Sequence, residues 1–117
     1  MHALIIEDES MIAIAIEDAL RGCGFTSFDI AVSAEEAATL AAHRCPDLIT
    51  ADVELRPGCG ITAVQSICFG QSIPVLFITG SPSEVRIRMT GHAMVEKPFD
   101  PAHIVATVKR TMGSTNR

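Results

Sequence analysis

Along this chain the apolar positions come in short unbroken runs, separated by segments whose apolar residues recur at helical intervals. The runs are Ala3–Ile6, Leu48–Ala51 with Thr50 its one polar residue, Val75–Ile78 and Ala93–Glu96, which a glutamate closes, with a more mixed fifth at Ser27–Ala31. A strand wet on one face alternates apolar with polar. A run that is apolar at every position reads instead as a strand covered on both faces, as in a parallel sheet between two helical layers.

The intervening segments carry helix punctuation. Ser10 to Gly22 is apolar on most of its faces, and Gly22 and Gly24 stop it. Ser33-x-x-Glu36 reads as a capping box for a second helix that ends near Arg44, ahead of Pro46. The loop Arg56 to Gly60 is a turn by composition, and a third helix follows over Ile61–Phe69. Ser81-Pro82-Ser83-Glu84 supplies a cap, a first-turn proline and a capping glutamate, opening a helix that Gly91 keeps short. Asp100-Pro101 repeats the device and opens a fifth helix with Ile104, Val105, Val108 and Met112 at helical spacing. Strand and helix alternate five times with no linker or internal repeat. The expected fold is a (βα)5 flavodoxin-like doubly wound α/β sheet, strand order 2-1-3-4-5, with a short fourth helix and a single domain over residues 1–117.

Composition narrows the class. The chain has 117 residues, 48% of them hydrophobic, enough for one core and too few for two. A net charge of −5 without a basic cluster argues against a nucleic-acid partner. The longest apolar stretch, Met11 to Ile16, is far too short to cross a bilayer. The first strand starts too early to leave room for a signal peptide, so no membrane partner is expected. Cys23, Cys45, Cys59 and Cys68 form no C-x-x-C pair and have no zinc-type neighbours. They are expected to be reduced, mostly buried thiols of a cytoplasmic protein.

The polar residues that end the strand runs carry the candidate chemistry. Glu7 and Asp8 follow the first run, Asp52 the third, Thr79 the fourth, and Lys97-Pro98 the fifth. In a parallel sheet these groups meet at the carboxyl edge, where open α/β sheets bind ligands. Carboxylates brought together repel unless a cation intervenes, and hard oxygen ligands of this kind suit Mg²⁺. A lysine at the same edge serves as a point charge for phosphate. Each residue alone has a plainer reading. Asp52 would serve as a helix or turn cap, Thr79 as a partner for backbone groups, and Lys97 as a solvated charge.

Taken in order, Leu4-Ile5-Ile6-Glu7-Asp8-Glu9, Asp47 to Asp52, Pro57-Gly58-x-Gly60, Pro74 to Gly80 and Lys97-Pro98-Phe99 resemble the receiver domains of two-component response regulators. The resemblance spans nearly the whole chain. It implies that Asp52 accepts a phosphoryl group from a phosphohistidine, and that Asp8, Asp52 and the backbone carbonyl of Glu54 hold Mg²⁺. Glu7 would act directly or through the metal's water shell. Thr79 and Lys97 would contact the phosphoryl oxygens, and the Lys97–Pro98 peptide is commonly cis in that family. Thr79 and the residue at Met94 would form the switch that remodels the face of the fourth helix, fifth strand and fifth helix.

Two departures stand out. Met94 replaces the family's usual Tyr or Phe, which puts the aromatic switch in doubt. Cys59 replaces the usual Asp before Gly60, either as a neutral substitute or as a thiol close to the site. Glu54 adds charge beside the acceptor. The short interval from Thr79 to Lys97, with Pro74-x-x-Phe77-x-Thr79-Gly80, resembles the FAT GUY receivers, which include single-domain regulators of a general stress response; Val75, Ile78 and Ser81 depart from that pattern.

The expected function is that of a stand-alone receiver, not an enzyme beyond its own phosphorylation and dephosphorylation. Its expected partners are a histidine kinase or histidine phosphotransfer protein, docking on the first helix, and a downstream protein target. Two other readings remain: a non-phosphorylated interaction module on the same fold, and a small Mg²⁺-dependent phosphohydrolase with Asp52 as nucleophile.

Overall fold

The computed structural model describes residues 1–55, 59–67, 72–83 and 92–113. Five parallel strands form one sheet in the order β2-β1-β3-β4-β5. They are β1 (His2–Ile6), β2 (Ser27–Ala31), β3 (Leu48–Ala51), β4 (Val75–Thr79) and β5 (Ala93–Glu96). Helices α1 (Ser10–Arg21), α2 (Ala34–His43), α3 (Gly60–Ser66) and α4 (Pro101–Gly113) cover it. The predicted α/β class and strand order are both present.

Successive side chains of a strand point to opposite faces, and the two cores follow that parity. Leu4, Ile6, Ile49, Ala51, Val75 and Phe77 pack with α2 and α3. Ala3, Ile5, Leu48, Leu76, Ile78 and Val95 pack with α1 and α4. Every residue of β1, β3 and β4 is buried, which is why those strands are apolar apart from His2, Thr50 and Thr79. Edge strand β2 is only partly covered, and its sequence is correspondingly mixed.

Most predicted elements recur within a residue or two. β1 starts one residue early, at His2, because its polar ring is held. Nδ1 lies 2.8 Å from Ser27 Oγ and Nε2 3.0 Å from Asp29 Oδ2. β4 takes in Thr79, which is its last residue. α3 is shorter than predicted, since Ile67 is extended at φ −86°, ψ 135°; Cys68 and Phe69 lie outside the described residues. Pro82 and Ser83, where the short fourth helix was expected to open, are helical, and residues 84–91, over which the rest of it was expected, lie outside the described residues. The thiols differ from expectation. Cys45 is exposed, and Cys23 and Cys59 are half-buried, because they sit at helix ends and loops rather than on sheet-facing positions.

The capping box at α2 is real but extended by one residue. Ser33 Oγ accepts the Glu36 N–H at 3.1 Å, and Glu36 Oε1 accepts the Val32 N–H at 2.8 Å. Ser33→Ala removes a side-chain acceptor from the first turn. It is expected to cost about 1 kcal/mol, read as a lower urea midpoint with an unchanged slope; unchanged stability would show that the cap contributes nothing.

Candidate functional site

Ladder hydrogen bonds continue past the strand ends and align the polar residues. Glu7 N–H donates to Ala31 O at 2.9 Å, Asp52 N–H to Ile6 O at 3.0 Å, and Lys97 N–H to Thr79 O at 2.9 Å. Each strand therefore presents its next residue at one edge. There Asp8, Glu9, Asp52, Glu54, Gly80 and Lys97 line an open cleft of about 280 Å³. A larger groove of about 560 Å³, lined by Ile49, Val64, Pro74 and Val75 among others, opens toward the amino ends of β3 and β4, and it holds none of these groups.

Lys97 bridges two carboxylates. Its Nζ donates to Glu7 Oε1 and to Asp52 Oδ2, each at 2.8 Å. The Glu7 side chain is fully buried and that of Asp52 nearly so. Burial pushes the Glu7 carboxyl above its ordinary value, more than the bonds from Lys97 and the Glu9 N–H pull it down; the Asp52 charge adds to the rise. Burial also works against the Lys97 ammonium, but its hydrogen bonds to Asp52 and Glu7 outweigh that and hold it above its ordinary value. One ammonium serves two carboxylates, so the cluster remains net negative.

The other predicted residues fall around this bridge. Asp8 is half-exposed in the cleft. One carboxylate oxygen from each of Glu7, Asp8 and Asp52 can be chosen so that all lie within 4.8 Å of one another. Three hard oxygen donors this close, with one shared cation, fit a divalent ion. Glu54 is held by its own N–H, which donates to Asp52 Oδ1 at 3.1 Å. Thr79 is buried, and its Oγ1 accepts the Ser81 N–H at 2.9 Å. Met94 stands apart from the cleft. It pairs in register with Phe77 and packs against the α2–α3 core. Cys59 precedes α3 and forms a bridge with Glu54 across the loop. The Lys97–Pro98 peptide bond is cis.

Two features escaped the sequence reading. The Glu7–Lys97 bond joins residues 90 apart, and no local signal announces it. The role of Gly60 was partly visible as a glycine in a tight loop. A Cβ there would lie 1.9 Å from the Asp52 carbonyl oxygen, so the loop passes directly over the Asp52 backbone.

The receiver-domain family profile, described as response regulator receiver domain, matches residues 3–109. The chain is 34% identical over 116 residues to the phyllosphere-induced regulator PhyR of Methylorubrum extorquens, covering 93% of this chain and 42% of that protein. It is 32% identical over 111 residues to the regulatory protein VanR of Enterococcus faecium, covering 91% and 47%. The chain thus spans less than half the length of these two relatives. The solution structure of the Erythrobacter litoralis PhyR receiver domain superposes with a TM-score of 0.90 at 32% identity, over 99% of this chain and 92% of that one. The crystal structure of the Brucella abortus response regulator PhyR gives 0.88 at 31% identity, over 98% and 49%. With the strand order, the edge carboxylates and the lysine after β5 all in place, the chain belongs to the response regulator receiver domain family.

Proposed function

We propose that this chain is a receiver that takes a phosphoryl group from a phosphohistidine onto Asp52, with Mg²⁺. The observation that carries this reading is the convergence of Glu7, Asp8, Asp52 and Lys97 on one open cleft. An Asp52 carboxylate oxygen forms the new bond to phosphorus as the bond to the donor's imidazole nitrogen breaks. The electron pair of that bond leaves with the nitrogen. Asp8, Asp52 and the Glu54 carbonyl would hold Mg²⁺, which when bound neutralises charge on the phosphoryl oxygens.

The chain's own residues do the remaining work. Lys97 keeps the acceptor oriented and, by releasing Asp52 Oδ2, supplies a counter-charge for the transferred group. The Glu54 N–H holds the other Asp52 oxygen. Thr79 Oγ1 turns from the Ser81 N–H toward the phosphoryl group. That movement is felt at β5, where the flexible side chain of Met94 takes the place of an aromatic switch. The phosphodonor is a histidine kinase or histidine phosphotransfer protein, and the output is a protein target, in a stress response by likeness to PhyR. The protein is not an enzyme beyond its own phosphorylation and dephosphorylation, and it acts in the cytoplasm.

The test is intact mass after incubation with acetyl phosphate and Mg²⁺. One phosphoryl adduct is expected, absent from Asp52→Asn and suppressed by EDTA. An adduct of equal yield on Asp52→Asn would overturn the assignment of the acceptor. Catalytic turnover of a small phosphoester would favour a phosphohydrolase instead.

A further inference from the structure

A second cluster of polar side chains lies at the opposite edge of the sheet from Asp52. His2 pairs in register with Ser27, and Asp29 follows two residues on, on the same face of β2. The imidazole lies between them, with Nδ1 2.8 Å from Ser27 Oγ and Nε2 3.0 Å from Asp29 Oδ2. Arg44, the residue at which α2 ends, donates from its guanidinium to Ser27 Oγ at 2.9 Å. The backbone of His2 is fixed as well. Its N–H donates to Asp47 Oδ2 and its carbonyl accepts the Asp47 N–H, each at 2.7 Å. Five residues along the chain separate His2 from Glu7, about 16 Å of strand, so this cluster is distinct from the phosphoryl cleft.

Donor and acceptor chemistry fixes the direction of each bond. A carboxylate only accepts, so Nε2 carries the imidazole proton and donates to Asp29. Nδ1 is then the acceptor, and the Ser27 hydroxyl donates to it. Ser27 Oγ in turn accepts from Arg44. The hydroxyl therefore has a base on one side and a cation on the other. This is the order of a serine nucleophile, a histidine base and an orienting carboxylate. The His2 side chain is only 4% exposed, so the base is kept from bulk water. Ser27 is half-buried and Arg44 exposed, which leaves the hydroxyl and the cation within reach of a small reagent.

We propose that Ser27 is an acyl-accepting serine whose donor is a small acyl phosphate. Ser27 Oγ bonds to the carbonyl carbon, and its proton passes to His2 Nδ1. The bond from that carbon to the phosphate oxygen breaks. Its electron pair leaves with the phosphate, to which His2 returns the proton. A guanidinium pairs with phosphate through its planar fork, so Arg44 beside Oγ selects a donor that carries phosphate over a neutral ester. Asp29 is a positioning residue, which holds the ring and offsets its charge while Nδ1 carries the transferred proton. The product is an ester on the protein itself, formed with neither Asp52 nor Mg²⁺.

The test is incubation of the full chain with acetyl phosphate in EDTA, with acetyl groups located by peptide mass mapping. Acetylation of Ser27 is expected. His2→Gln is expected to slow it about 10²-fold. Should that buried substitution unfold the chain, Asp29→Asn on the partly exposed edge strand replaces it. Asn keeps an acceptor for Nε2–H and removes the charge, so the rate is expected to fall at least about tenfold, with the half-saturating acetyl phosphate concentration unchanged. Arg44→Gln is expected to raise that concentration, and to leave the one for p-nitrophenyl acetate, which carries no phosphate, unchanged. Ser27→Ala should still take a phosphoryl group on Asp52 once Mg²⁺ is supplied. Mass separates acetyl from phosphoryl adducts, so the two readings fail separately. Acetyl groups confined to lysines and the amino terminus would overturn the proposal. So would an undiminished Ser27 rate in a folded His2→Gln or Asp29→Asn, or an equal effect of Arg44→Gln on both donors.

Discussion

Replacing Lys97 with Met is expected to destabilise the fold by about 3 kcal/mol at neutral pH and to make its stability rise on acidification. The ammonium is the shared partner of Glu7 and Asp52, whose side chains are 0% and 6% exposed. Methionine keeps much of the aliphatic stem and removes only the charge, so two buried carboxylates are left facing each other without compensation. Burial and the Asp52 charge already push Glu7 up; without Lys97, both of the lowering influences that the lysine exerts are gone. A carboxyl with a raised folded pKa stabilises the fold below its unfolded value, and that contribution is lost as pH rises through the folded value. The variant should therefore approach wild-type stability near pH 4–5 and fall away toward neutrality. The wild type behaves differently at the alkaline end. Lys97 is held above its ordinary value, so its contribution persists through neutral pH and is lost only in strongly alkaline solution. Urea midpoints across pH measure both trends. A variant as stable as wild type at pH 7, with a flat pH profile, would show that the bridge is not what balances the buried carboxylates.

The second large effect is expected from Gly60→Ala. Its Cβ would lie 1.9 Å from the Asp52 carbonyl oxygen and 2.7 Å from the carbonyl carbon, both backbone atoms that no rotamer change can move. Relief requires the loop to lift, which breaks the 3.0 Å bond from Gly60 N–H to Val53 O. Overpacking of this kind typically costs about 1–3 kcal/mol, and a contact this short with backbone belongs at the upper end. The displaced segment carries Glu54, whose N–H holds Asp52 Oδ1. Acceptance from acetyl phosphate should therefore slow beyond what lost stability accounts for, measured as the rate of adduct formation at a temperature where both proteins are folded. Wild-type stability with a wild-type rate would mean the loop has freedom that the close approach denies it.

How much was legible in advance differs from element to element. Parity along β1, β3 and β4 is an intrinsic property of extended backbone, so runs buried on both faces could be read from residues alone. Ser33, Pro82 and Pro101 mark helix starts by chemistry that acts within three or four residues, and those starts are where they were expected. The far end of α3 was misjudged because helix length there depends on where Ile67 finds a buried place, a tertiary matter. Exposed Cys45 was misjudged for the same reason: sequence tells that a thiol can be buried, not whether the neighbouring layer reaches it.

The candidate site shows the same division. The sequence by itself determined which groups stand at the carboxyl edge, because each follows a strand and all strands run parallel. It also determined the family, since five motifs in order leave little freedom. Only the tertiary structure decided how those groups are joined. Lys97 meets Glu7 and Asp52 across 90 and 45 residues, Gly60 passes within contact of Asp52, and Met94 lies against Phe77's strand rather than in the cleft. These contacts run between strands brought into one sheet by burial, and hydrophobic burial is non-directional. It selects the fold that hides the apolar runs, and the polar geometry at the edge follows from sheet order, register and twist, which no local stretch of sequence encodes.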